Sequence, residues 1–166
     1  MQIKSDKRLF RMPFFCTGRT LYGFIDNSGR EVIHPAYEDA LDFHDGLAAV
    51  LKDGKWGYID EDNNFVIPPK YEFADDFSEG LAAVSKEGKR GFIDKDGNVQ
   101  VKLLFDRAQA FCEGRAAVSI ERRWGFIDRK GHIILTPQYS YAGSYHGGMA
   151  KVLFHQDDIL WGFVDL

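Results

Sequence analysis

Cysteine is nearly absent: Cys16 and Cys112 are the only two in 166 residues, 96 positions apart and without CxxC spacing. That removes a disulfide framework and a cysteine zinc site as organising features, and leaves two idle thiols in a reducing compartment as the expectation. No apolar run approaches the length of a transmembrane helix. The start, Met1 to Arg8, is basic but has no apolar stretch of signal-peptide length behind it, so a cytoplasmic location is expected. GxSxG, Walker, dinucleotide and HExxH motifs are all missing, and helical periodicity is sustained nowhere. The net charge of −4 gives no reason to expect a nucleic-acid surface.

What is present is a period. Trp56-Gly57-Tyr58-Ile59-Asp60 is matched at Trp124 to Asp128, more weakly at Tyr22 to Asp26 and Arg90 to Asp94, and again at Trp161 to Asp165. The glycine of this head recurs at 23, 57, 91 and 125, every 34 residues, and then at 162 after 37. Further columns fall into the same register: Pro35, Pro69 and Pro137; Tyr37, Tyr71, Phe105 and Tyr139; Ala40, Ala74, Ala108 and Ala142; Phe43, Phe77, Phe111 and Tyr145. Such a period marks a tandem-repeat architecture. The repeats run 22–55, 56–89, 90–123 and 124–160, with partial ones at 1–21 and 161–166, all within one expected domain of residues 1–166.

Each repeat reads as three short strands, because aromatic and β-branched runs alternate with glycine, proline and aspartate. The head comes first, a second strand such as Phe65 to Ile67 follows, and a Leu-Ala-Ala-Val segment is third. Head and second strand are joined by Asp-led turns such as Asp60-Glu61-Asp62-Asn63 and Asp94-Lys95-Asp96-Gly97. There the carboxylate can accept backbone N–H groups, while Gly or Asn takes a positive φ. Third strand and next head meet through hairpin sequences such as Lys52-Asp53-Gly54-Lys55. The dozen residues between second and third strands carry apolar positions at offsets of three, which predicts a turn or short 3₁₀ segment. Heads apolar on both faces predict strands sandwiched between neighbours, so that the aromatic columns form the core between repeats. The expected fold is all-β: 34-residue repeats of about three antiparallel strands in an open curved array, with a small closed β-propeller as the alternative.

At Lys55-Trp56-Gly57-Tyr58-Ile59-Asp60, with Pro68, Tyr71, Phe77, Gly80 and Ala82-Ala83-Val84 following, the sequence resembles the bacterial WG repeat, also called the KWG repeat. The resemblance covers about residues 22–165. It implies a bacterial origin and an all-β scaffold, and brings no shared catalytic activity or ligand. Tyr22 and Arg90 depart from it at the tryptophan, Lys102-Leu103 at the proline, and Arg115 at the leucine.

Catalytic and metal readings are weaker. Asp94-x-Asp96-Gly97 resembles the opening of a calcium loop, but Phe105 stands at its twelfth position, and a hairpin turn accounts for it. His44, Ser78, Cys112 and His146 share one column, and Cys112 with His146 or His132 makes a Cys–His dyad by composition alone. No cofactor or metal is expected. Charge is distributed in blocks: repeats 22–55 and 56–89 sum to −4 and −5, whereas 90–123 returns to +2. Arg90, Arg107, Arg115, Arg122 and Arg123 of that third repeat are therefore candidate partner-binding residues. The aromatic Phe10, Phe14 and Phe15 and the insertion His155-Gln156-Asp157-Asp158-Ile159 are further exceptions to the repeat. The expectation is a non-catalytic protein-interaction scaffold, immunity- or antitoxin-like in one form. The alternative is a small-molecule or glycan-binding module with a pocket between repeats.

Overall fold

The computed structural model describes residues 8–16, 18–155 and 159–166. Gln156, Asp157 and Asp158 of the insertion lie outside them. The chain divides into two compact units, Met1–Asp76 and Phe77–Leu166.

The first unit contains β1 (Leu9–Cys16), β2 (Arg19–Asp26), β3 (Glu31–Tyr37), β4 (Asp39–Ala40), β5 (Ala48–Lys52), β6 (Lys55–Ile59), β7 (Phe65–Tyr71) and β8 (Phe73–Ala74). The second contains β9 (Ala82–Lys86), β10 (Lys89–Ile93), β11 (Val99–Phe105), β12 (Arg107–Ala108), β13 (Arg115–Ile120), β14 (Arg123–Asp128), β15 (Ile133–Tyr139), β16 (Tyr141–Ala142), β17 (Met149–His155) and β18 (Ile159–Asp165). Among the described residues all pairings are antiparallel, in five small sheets of three or four strands, none closed into a barrel. The orders β1-β2-β3 and β4-β5-β6-β7 in the first unit, and β12-β13-β14-β15 and β16-β17-β18 in the second, are the three-strand expectation with one addition. Where a turn or 3₁₀ segment is expected directly after the second strand, the backbone first stays extended and turns only later, at Asp45–Gly46 and its equivalents. The second strand runs on to Tyr37 or Tyr139, and a two-residue strand after it pairs with the third, Ala40 opposite Val50 and Ala108 opposite Val118. Apolar spacing of three came from a bend between two strands, not from a helical turn.

The head glycine has a cause that spacing did not reveal. Trp56 pairs with Tyr71 but Tyr58 pairs with Ile67, so Pro68, Pro69 and Lys70 bulge opposite Gly57 alone. A Cβ on Gly57 would stand 2.6 Å from the Ile67 carbonyl oxygen, 2.7 Å from the Pro69 nitrogen and 2.9 Å from the Pro68 carbonyl carbon. Backbone of the equivalent bulges crowds Gly23, Gly91 and Gly125 in the same way. The proline column sits where a strand has stopped offering N–H groups to the ladder, so its missing donor costs nothing there. Proline is not required: Lys102 and Leu103 build the same bulge over Gly91.

The turns follow their sequence chemistry. Asp60 Oδ1 accepts the amides of Asp62 and Asn64 at 3.0 and 2.8 Å, and Asn63 takes φ 66°. Asp128 Oδ1 holds Lys130 and His132 identically at 2.9 Å.

The core lies between sheets, as the aromatic columns require. In the first unit Phe24, Ile33, Tyr37, Ala48, Val50 and Ile59 form one cluster. In the second, Phe92 and Ile127 share a cluster with Phe105 and Phe111, and Phe126 shares another with Tyr139, Tyr145 and Val152. The head at Trp124–Asp128 thus sends the Phe126 ring into one cluster and Ile127 into the preceding one. Phe92 meets Phe111 edge-on at 4.6 Å and Phe24 meets Phe43 at 4.9 Å, a geometry worth about 0.5–1.5 kcal/mol beyond burial. Carboxylates stitch the turns of the second unit: Glu79 accepts the Gly114 amide at 3.0 Å, and Glu113 accepts those of Gly147 and Gly148 at 2.7 and 3.0 Å.

Candidate functional site

The five arginines of the third repeat separate into two groups. Arg90 takes the place of the head tryptophan, is half-buried, and donates to the Ala108 carbonyl at 3.4 Å. Arg115 lies over the Tyr145 ring at 4.7 Å and donates to the carbonyls of Glu113 and Leu166. Both are engaged in holding the repeat together. Arg123 is exposed and reaches the Gln138 carbonyl at 3.4 Å. Arg107, on β12, and Arg122, in the β13–β14 turn, are exposed and form no ion pair among the described residues.

Arg107 and Arg122 line one cleft of about 290 Å³ with Asp106, Ser119, Trp124 and Ser140. Trp124, at 9% exposure, gives it an apolar wall. Asp106, the one carboxylate of the cleft, is already occupied. One oxygen accepts Lys89 Nζ at 2.6 Å and the other accepts the Glu121 amide at 2.8 Å. The Lys89 ammonium holds that carboxyl below the usual range. Arg122 sits at φ 64°, in a turn where the sibling repeats place Gly54 and Gly88 at φ 70° and 71°. That column of turn glycines, with an arginine in it, was the sequence signal for this site.

A second cleft, of about 450 Å³, lies in the first unit between β1, the first repeat's linker and the second repeat's Asp turn. It is lined by Arg8, Leu9, Phe10, Asp42, Phe43, His44, Gly46 and Glu61. His44 Nδ1 is 3.4 Å from Asp76 Oδ2, and burial, more than the nearby Asp75 and Asp42, pushes the Asp76 carboxyl up. Among the described residues no three His, Cys, Asp or Glu side chains are grouped to hold a metal ion. The Asp94 carboxylate is spent on its own turn, accepting from Asp96 and Asn98 amides and from the Asn98 and Gln100 side chains at 2.7–3.1 Å.

Cys112 and His146 do meet, Sγ lying 3.3 Å from Nδ1. Partial burial, with Glu113 and Glu79 adding, pushes the thiol up, which disfavours the thiolate that a nucleophile needs. Of the N-terminal aromatics, Phe15 is exposed and Phe14 half-buried against a shallow depression with Leu21, His34 and Pro35. Exposed aromatics also line β18, where Trp161 is 53% and Phe163 70% exposed, and Lys151 Nζ stands 4.0 Å from the Trp161 ring.

Strand-only repeats that share cores with their neighbours define a tandem β-repeat protein. The chain belongs to the WG containing repeat family, whose model matches residues 22–56, 56–89, 91–122 and 124–154. No curated protein matches the sequence. Among solved structures, one titled as a crystal structure of the eukaryotic initiation factor is similar in fold, at TM-score 0.60 and 12% identity. The likeness covers 96% of this chain and 48% of that one, so the chain spans about half that protein's length. A 2S albumin seed protein from Dolichos, also 12% identical over 94% of this chain and 86% of its own, reaches only TM-score 0.30, too low to carry an argument.

Proposed function

We propose that this is a non-catalytic protein-interaction scaffold that binds a protein partner through the surface carrying Arg107 and Arg122. One observation carries the reading: the columns of Tyr37, Ala40 and Val50 are buried in every repeat, whereas two cations that break the repeat stand unpaired, among the described residues, beside a tryptophan in one cleft. Arginine and tryptophan are the residues enriched where binding energy concentrates. Fixed positive charge there would steer a negatively charged partner surface and select against a positive one. On this reading the scaffold is bacterial, as the resemblance implies, and acts in the cytoplasm with a protein, not nucleic acid or a membrane, as its partner. An immunity- or antitoxin-like role, masking a toxin, is one form of it.

Affinity capture from an extract of the source cells tests this, with the natural chain and an R107E/R122E variant of unchanged melting temperature side by side. The expected result is one protein retained in stoichiometric amount by the natural chain and lost by the variant. Retention of none, together with a thermal shift on adding a sugar or nucleotide, favours the second reading of a small-molecule or glycan binder. The cleft of about 450 Å³ between repeats of the first unit is the observation behind that alternative.

A further inference from the structure

We propose that the cleft between β12, the β13–β14 turn and the β15–β16 corner is an oxyanion site that takes a carboxylate- or phosphate-bearing side chain of the partner protein. The inference rests on the scaffold reading and specifies its chemistry.

Two independent observations converge on it. The first is composition: Arg107 and Arg122 supply guanidinium donors, Ser119 and Ser140 supply hydroxyls, and Trp124 supplies a flat wall, all around one cavity. Guanidinium forks match the planar carboxylate and the phosphate in geometry, and such charge-assisted bonds are the strong ones. Asp106 is paired with the Lys89 ammonium at 2.6 Å, which balances its charge, and among the described residues no ion pair joins it to either arginine. Neither arginine is part of the repeat: Asp39, Phe73 and Tyr141 stand at the Arg107 position and Gly54 and Gly88 at the Arg122 position.

The second is backbone strain. Type I′ turns want φ above zero at both central residues, and glycine fills the second of them at Gly54 and Gly88. Glu121 and Arg122 take φ 49° and 64° with side chains on both. A side chain held in the left-handed region against an available glycine marks a place where something other than the fold selects the residue. The same Asp106 carboxylate that anchors the turn amide fixes where the Arg122 side chain leaves the backbone.

The full chain, labelled with ¹⁵N, is titrated with three blocked tripeptides, Gly-phosphoserine-Gly, Gly-Glu-Gly and Gly-Ser-Gly. The Trp124 indole and the Arg107 and Arg122 Nε–H signals are followed. Saturable shifts with the phosphoserine peptide alone assign a phosphate site, and shifts with the glutamate peptide as well assign a general oxyanion site. The serine peptide is expected to give neither. Arg122→Gly should weaken binding about tenfold, the loss of one charge-assisted pair, while raising the melting temperature, since glycine relieves the positive φ. A mere folding defect would lower both. Absence of saturable shifts with either anionic peptide, or shifts undiminished in Arg122→Gly and Arg107→Gln, overturns the proposal. If the natural chain captures a stoichiometric protein that both variants still hold, the scaffold reading stands and this site falls. If the peptides bind but no protein is captured, the site is an oxyanion site and the scaffold reading falls.

Discussion

Replacing Gly57 by alanine tests why the head needs glycine at all. The added methyl would enter a space bounded by Ile67, Pro68 and Pro69 backbone atoms at 2.6–2.9 Å, none of which can rotate aside. Relief requires opening the bulge, and overpacking of this kind costs about 1–3 kcal/mol. Alanine returns about 0.5–1 kcal/mol of the conformational entropy that glycine loses in a strand, so a net loss of roughly 0–2.5 kcal/mol, centred a little above 1, remains. In a chain of this size that central value lowers the melting temperature by about 2–5 °C. Gly162 provides the internal control, because it occupies the same place in a head but, among the described residues, no bulge lies over it. Its Cβ would meet only the exposed Phe154 ring, at 3.1 Å, which can swing away. Gly162→Ala should therefore stay within about 0.5 kcal/mol of the natural chain. Urea unfolding followed by tryptophan fluorescence, with the slope checked for constancy, reads both. Equal losses in the two variants would mean that backbone flexibility, not the bulge, selects glycine; two unchanged midpoints would mean that the bulge yields freely.

Acid titration of stability reads the Asp turns. The Ser28 hydroxyl, against the cost of burial and helped by the Arg30 and Ser28 amides, holds the Asp26 carboxyl down at about 2. A folded value below the unfolded one of about 3.9 means that the stabilisation is complete above about pH 4 and is lost as pH falls toward 2. Asp26→Asn should flatten part of that fall in unfolding midpoint, and an unaltered profile would remove Asp26 from the account. Phe126 and Phe163 share one column but differ in exposure, 0% against 70%. Phe126→Ala should cost about 3–5 kcal/mol and Phe163→Ala no more than about 1, and similar costs for both would contradict the assignment of the core.

Much of this fold was legible because a core repeats. The columns of Tyr37, Ala40 and Val50 and their partners were sequence statements about burial, and the structure buries them. The Asp turns were equally plain, since Asn63 in place of glycine left little choice of backbone. The linker was misread because proline at 35, 69 and 137 looked like the end of a strand, when it marks a bulge through which the strand continues. A bulge is a two-strand property, and single-strand periodicity does not contain it. For the candidate site, charge in the third repeat pointed to five arginines, but only their neighbours in space decide among them. Arg90 and Arg115 are drawn into carbonyls and a ring, whereas Arg107 and Arg122 remain directed at a cleft. Tracking the turn-glycine column as closely as the aromatic ones would have singled out Arg122.

The sheets and the repeats are out of phase. In the second unit β12 and β13 come from one 34-residue repeat and β14 and β15 from the next, yet the four form one sheet; β4 to β7 do the same in the first. The genetic unit and the folding unit therefore overlap like courses of bricks, and the joint of one always falls in the middle of the other. Excising or duplicating a 34-residue window between the first and fourth heads, where the glycines at 23, 57, 91 and 125 keep strict spacing, should leave a junction in which a third strand still meets a head in register. Within that stretch an array laid this way can lengthen or shorten by whole periods without inventing a new connection.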